Sequence, residues 1–227
     1  MRLTVHDTED FTTAIDPNLV EEVMGVLAGL PLYVKQSDQK GKQDRLIFDP
    51  VGTNAAIASA LSARGWTPKI PIPDGWQALG IDIDFGKNGL LVEAQFSNYP
   101  FLLNNVIRTN VLHESGVDLE SMGAIKAAII ITKCKLIEAS NSTLYTEQAV
   151  EQLRFLEKGN TLDVPVRIVG LSVERGEAID AVVTAYHAKR YSRTPVSTKR
   201  VKCRLGGKGV TRERERIVVI GNTERRP

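Results

Sequence analysis

The stretch Ile81 to Asn98, IDIDFGKNGLLVEAQFSN, constrains the chain more than any other, because it writes two apolar strands around a glycine turn and places acids in both. Successive strand side chains point to opposite faces. Ile81, Ile83 and Phe85 therefore share one face and Asp82 and Asp84 the other. On the return strand Leu90, Val92, Ala94 and Phe96 separate from Glu93, Gln95 and Ser97. Pairing across GKNG brings Asp84 near Glu93. Two carboxylates on one face, with the Ala94 carbonyl between polar positions, are a hard-oxygen set suited to magnesium. The same alternation also fits an edge hairpin whose outer face is simply hydrated. Against that, strands with so apolar a reverse face are expected to be central, where an unpaired carboxylate is costly.

The surrounding pattern predicts a mixed α/β chain. Asp16 and Pro17 open a helix with Val20, Val23, Val26 and Leu27 on one stripe, and KQSDQKGKQD reads as a loop. RLIFDP is a short strand stopped by Pro50, and TNAAIASALSARG a helix capped by Thr53 or Asn54. Prolines at 68, 71 and 73 impose an extended connector into the hairpin. PFLLNNVIRTNVLHES and TLYTEQAVEQLRFLEKG are helical, IKAAIIITK is a buried strand, and VPVRIVGLSVE and RIVVIG are further strands. AIDAVVTAYHA is ambiguous. The expected division is an α/β core at 1–163 and a smaller β-rich C-terminal extension at 164–227.

With 227 residues the chain can bury a substantial core. No apolar run reaches the roughly 18–20 residues that cross a bilayer, so no membrane role is expected. The N-terminus lacks the order of a secretory signal, and Cys134 and Cys203 read as separate thiols in a reducing cytoplasm. Net charge is only +2, yet Lys189 to Arg216 holds eleven Lys or Arg against two Glu. Such a segment is either a solvated basic tail or a face for a polyanion. His6, His113 and His187 show no ligand spacing.

DIDFGKNGLLVEAQFSNYPFLLNN resembles the matching stretch of the BglII-like type II restriction endonucleases, within the PD-(D/E)xK nuclease superfamily. So do SDQ at 37–39, LIFDPVGTN at 46–54, AIIITK at 128–133, ASNSTLYTEQA at 139–149 and KRYSR at 189–193. The likeness covers most of the first 195 residues and fades in the basic C-terminal end. It implies a restriction-endonuclease-like central mixed sheet flanked by helices. It also implies a homodimer on double-stranded DNA that uses Mg2+ to hydrolyse one phosphodiester per strand, in a palindrome with a GATC centre such as AGATCT.

Carried over by motif, Asp84, Glu93 and the Ala94 carbonyl would hold the metal. Gln95 stands where many superfamily members have lysine, and an amide cannot act as a base. Lys69 either restores positive charge near the metal or touches the DNA backbone. Ser97, Asn98, Asn141, Ser142, Lys189, Tyr191 and Arg193 fall in motifs that the resemblance assigns to DNA contact. Asn141 or Ser142 also fits a helix cap, and Ser97 and Asn98 a strand end. The helices at 101–115 and 143–158 are the expected dimer faces, although their apolar stripes fit burial within one protomer equally well. A non-cleaving DNA-binding protein of this fold, and an enzyme acting on small phosphoesters, are the alternatives. The acidic pair argues against the first and the basic segment against the second.

Overall fold

The computed structural model describes residues 1–43, 45–96, 100–119, 122–140, 144–187, 193–208 and 215–222. In chain order the elements are β1 (Arg2–Asp7), α1 (Phe11–Ala14), α2 (Pro17–Gly29), β2 (Leu32–Gln36), β3 (Leu46–Phe48), α3 (Pro50–Ser62) and β4 (Thr67–Pro71). A 3-10 turn at Gln77–Leu79 precedes β5 (Asp82–Lys87), β6 (Leu90–Ala94), α4 (Pro100–Glu114), β7 (Asp118–Leu119), β8 (Gly123–Ala124) and β9 (Ala127–Lys133). There follow α5 (Thr146–Lys158), β10 (Val166–Ser172), β11 (Ile179–Tyr186), β12 (Pro195–Lys208) and β13 (Glu215–Asn222).

Among the described residues, β1-β10-β9-β6-β5-β4 form a six-stranded mixed sheet. β6, β9 and β10 run parallel to one another, and the β5–β6 hairpin and the outer strands β1 and β4 pair antiparallel. All seven residues of β9 are buried, because a central strand meets a core on each face. Alternate residues go to different sides: Leu90, Val92, Ile129 and Ile131 join one apolar cluster, and Leu91, Ala128 and Ile130 the other. β4, with its prolines, takes the sheet edge, where a missing N–H costs no ladder bond.

The second unit is a closed barrel, β11-β12-β13-β3-β2, sealed by parallel pairing of Ala181–Thr184 with Leu32–Lys35. Sequence patterning draws one line between residues 163 and 164, whereas the sheets interleave. β10 lies inside the six-stranded sheet, and β2 and β3 supply two barrel strands from the N-terminal third. Barrel closure depends on pairing between distant segments, which local periodicity does not carry. The ambiguous segment is β11, and much of the basic segment is the long strand β12. Cys134 and Cys203 are both buried free thiols.

Helix starts follow the local chemistry. Asp16 Oδ1 accepts the Asn18 N–H at 2.9 Å and Pro17 fills the first turn of α2, as the sequence predicts. α3 begins earlier than predicted. Its cap is Asp49, accepting from Val51 N–H at 3.2 Å, so Pro50 both ends β3 and starts the helix. Thr53, expected as the cap, instead turns its hydroxyl back to the Asp49 carbonyl at 2.7 Å. Two apolar assignments also change. Ile81 precedes β5 and is 84% exposed, and Ile83 and Phe85 join different clusters. Strict alternation therefore breaks at Asp84.

Candidate active site

That break is where the acidic residues gather. The β5–β6 ladder runs Lys87–Leu90, Gly86–Leu91 and Phe85–Val92, so Asp84 and Glu93 come next in register. There the Asp84 carboxylate takes the place of a backbone acceptor, receiving Ala94 N–H at 2.9 Å. Close approach of the elements behind the hairpin requires Gly86, since a Cβ there would lie 2.3 Å from Met122 Sδ and 2.4 Å from Ile70 Cδ1. β6 is fixed on its other side by β9, with Glu93 opposite Ile130, and Gln95 N–H donates to the Ile131 carbonyl at 2.8 Å.

Asp84 and Glu93 lie close enough for each to shift the titration of the other. Glu93 is only 4% exposed. Burial, together with the neighbouring Asp84 charge, pushes the Glu93 carboxyl up to about 8 despite the guanidinium of Arg108, and burial raises Asp84 as well. Burial of Glu93 thus favours a proton on its carboxyl that a divalent ion would displace. The donor set fits a hard cation: two carboxylates with the Ala94 carbonyl next to them in the strand. Among the described residues no cluster of three or more His, Cys, Asp or Glu forms. Coordination beyond these groups would come from water and a phosphate.

Sequence patterning missed Arg108 and Asn105. Arg108, 8% exposed on α4, donates Nη2–H to Glu93 Oε1 and Nη1–H to the Asp82 carbonyl at 3.2 Å. Gly80, with φ of 137°, makes room for it, because a Cβ would sit 2.6 Å from Arg108 Nη1. Asn105 Nδ2–H donates to Gln95 Oε1 at 3.0 Å, holding the Gln95 amide against α4. The signal was available: Asn105, Arg108 and Thr109 recur at helical spacing inside a helix read for its apolar stripe.

Lys69 is exposed on β4, with a left-handed φ of 50°, between the pairs Pro68–Phe85 and Ile70–Ile83. That register sets it opposite Asp84. Arg193 is exposed ahead of β12. Ser97, Asn98, Asn141, Ser142, Lys189 and Tyr191 lie outside the described residues.

A mixed sheet carrying a buried and a half-buried acid side by side where its central hairpin opens defines a restriction-endonuclease-like enzyme. Residues 5–171 match the family described as restriction endonuclease BglII/BglIII. The type II restriction enzyme BglII of Bacillus subtilis is 46% identical over 222 residues, covering 97% of this chain and 99% of that protein. The crystal structure of BglII complexed with a DNA 16-mer is 46% identical with a TM-score of 0.92, covering 97% of this chain and 100% of that one. The structure of free BglII gives 41% and 0.75, with 97% and 100% coverage. The chain belongs to the BglII/BglIII restriction endonuclease family and is a type II site-specific deoxyribonuclease.

Proposed function

We propose that the chain, as a cytoplasmic homodimer on double-stranded DNA, hydrolyses one phosphodiester in each strand of a GATC-centred palindrome, AGATCT, with Mg2+ as cofactor. The observation that carries this reading is the Asp84–Glu93 pair, with Glu93 buried, Asp84 half-buried and the Ala94 N–H held by the Asp84 carboxylate. Asp84, Glu93 and the Ala94 carbonyl hold the cation. When bound, Mg2+ supplies water activation and neutralises charge that develops on the scissile phosphate.

Each remaining residue acts through position. Arg108 holds Glu93 against the hairpin and compensates part of its charge. Gln95 neither carries charge nor accepts a proton from water, so its Nε2–H group orients water or a phosphate oxygen. Lys69, opposite Asp84 across β4–β5, adds positive charge on the exposed side. Ser97 and Asn98 continue the chain beyond the acidic strand. Ser97, Asn98, Asn141, Ser142, Lys189, Tyr191 and Arg193 are proposed to contact DNA, because hydroxyls, amides and cationic side chains suit base edges and phosphates. Two cuts in a palindrome call for two symmetry-related sites, hence a dimer.

The direct test is digestion of DNA of known sequence with Mg2+, followed by mapping of the ends and repetition with Asp84→Ala. Cleavage at one palindrome that the substitution abolishes supports the reading. Random nicking, or undiminished cutting by the variant, overturns it.

A further inference from the structure

Helix α4 meets the acidic strand at two successive rungs. Arg108 Nη2–H donates to Glu93 Oε1, and Asn105 Nδ2–H donates to Gln95 Oε1 at 3.0 Å. Residues two apart on a strand share a face, as do residues three apart on a helix, so a helix crossing antiparallel to β6 can hold Glu93 and Gln95 together. Helix and strand are each tied down elsewhere. Asn110 Oδ1 accepts the Asp163 and Val164 N–H groups at 2.7 and 2.9 Å, and His113 Nδ1 lies 2.7 Å from the Ile125 carbonyl. On the strand, Gln95 N–H donates to the Ile131 carbonyl at 2.8 Å. The Asn105 bond therefore joins a side chain to an element that is itself anchored.

Gln95 needs such a bond because its two ends are unlike in chemistry and nearly alike in shape. A primary amide has two donors on nitrogen and an acceptor oxygen, so packing alone does not choose which end faces the site. Gln95 is 7% exposed, and Asn105 is half-buried beside it. The choice has a chemical consequence. Asp84, Glu93, the Ala94 carbonyl and the oxygens of a scissile phosphate are all acceptors once the acids are ionised. A glutamine carbonyl turned toward them meets no donor and is costly, whereas an N–H group can hold water or a phosphate oxygen.

We propose that Asn105 is a positioning residue for Gln95: by holding the amide oxygen against α4 it turns the Nε2–H end toward water and the scissile phosphate. This rests on the reading above that Gln95 acts in the cleavage step. Asn105 touches neither substrate nor metal in this role and works only through Gln95, as Arg108 works through Glu93 one turn further along the same helix.

The test is a double-mutant cycle in the full-length enzyme. Single-turnover cleavage of the mapped cognate site, at saturating DNA and Mg2+, is measured for wild type, Asn105→Ala, Gln95→Ala and the double variant. Loss of one neutral hydrogen bond predicts that Asn105→Ala is about three- to tenfold slower than wild type. In the Gln95→Ala background the same substitution should change the rate by less than about twofold, because a residue acting through Gln95 then has nothing to hold. Asn105→Asp, which only accepts once ionised, should be slower than Asn105→Ala, since it draws the N–H end of Gln95 to itself. Equal losses in both backgrounds, a wild-type rate in Asn105→Ala beside a slow Gln95→Ala, or Asn105→Asp as fast as Asn105→Ala each overturns the positioning role and leaves Gln95 in the chemistry. A wild-type rate in Gln95→Ala overturns the reading on which it rests. Without metal or DNA, the side-chain amide resonance of Gln95, identified by its absence from Gln95→Ala, should shift in Asn105→Ala, and an unmoved resonance overturns the contact. Should Asn105→Ala fail to fold, the wild-type spectrum decides: cross-relaxation between the side-chain amides of Asn105 and Gln95 supports the proposal, and its absence overturns it.

Discussion

Replacing Arg108 by methionine isolates the counter-ion of the acidic pair, because the apolar stem is kept and the guanidinium is lost. Arg108 donates to Glu93 and to the Asp82 carbonyl, and its side chain is 9% exposed. Hydrogen bonds involving a charged partner contribute about 1.5–3 kcal/mol each, and relaxation recovers part of the loss. A net destabilisation of about 3 kcal/mol corresponds to roughly 6–12 °C in Tm for a chain of this size. The pH dependence gives a sharper test. In the metal-free wild type the Glu93 carboxyl is raised from 4.5 to about 8, so folded protein binds a proton that unfolded protein has released. The associated stability is complete below 4.5 and is lost as pH rises through about 8. Without Arg108 the folded carboxyl moves higher still, so the variant goes on losing stability where the wild type has stopped. Thermal melts without divalent ions at pH 6 and pH 9 should therefore show the larger Tm difference at pH 9. Equal differences, or a larger one at pH 6, would refute this account of the site.

In wild type, Mg2+ at about 100 times its Kd should raise stability by about 2.7 kcal/mol, and Asp84→Ala should abolish that shift in a thermal melt. Gly86→Ala should cost roughly 1–3 kcal/mol in urea unfolding, since its Cβ would meet Met122 and Ile70 at under 2.5 Å; a midpoint unchanged from wild type would contradict the close approach. Lys69→Ala should lower single-turnover cleavage at saturating DNA by about a hundredfold, the lower end of a positioned group's effect, whereas an unchanged rate assigns Lys69 to backbone contact alone.

Asp84 and Glu93 were legible because a period of two and a short glycine turn are local properties, and so was the buried run of β9. Arg108 was not, since α4 reads as one apolar stripe until its polar residues are seen to face the hairpin. The cap of α3 was misplaced by reading Pro50 only as a strand stop, when the Asp-Pro pair also starts a helix.

By itself the sequence determined the strands, most of the helices and the chemistry available on the hairpin, because side-chain period, capping and turn residues act over a few positions. Tertiary structure decided which distant segments close the barrel, how Arg108 meets Glu93 and why the loop lysine Lys42 is buried against Ala139. Those outcomes join residues far apart in the chain, and their energies appear only when packing excludes water and a buried donor must find its acceptor.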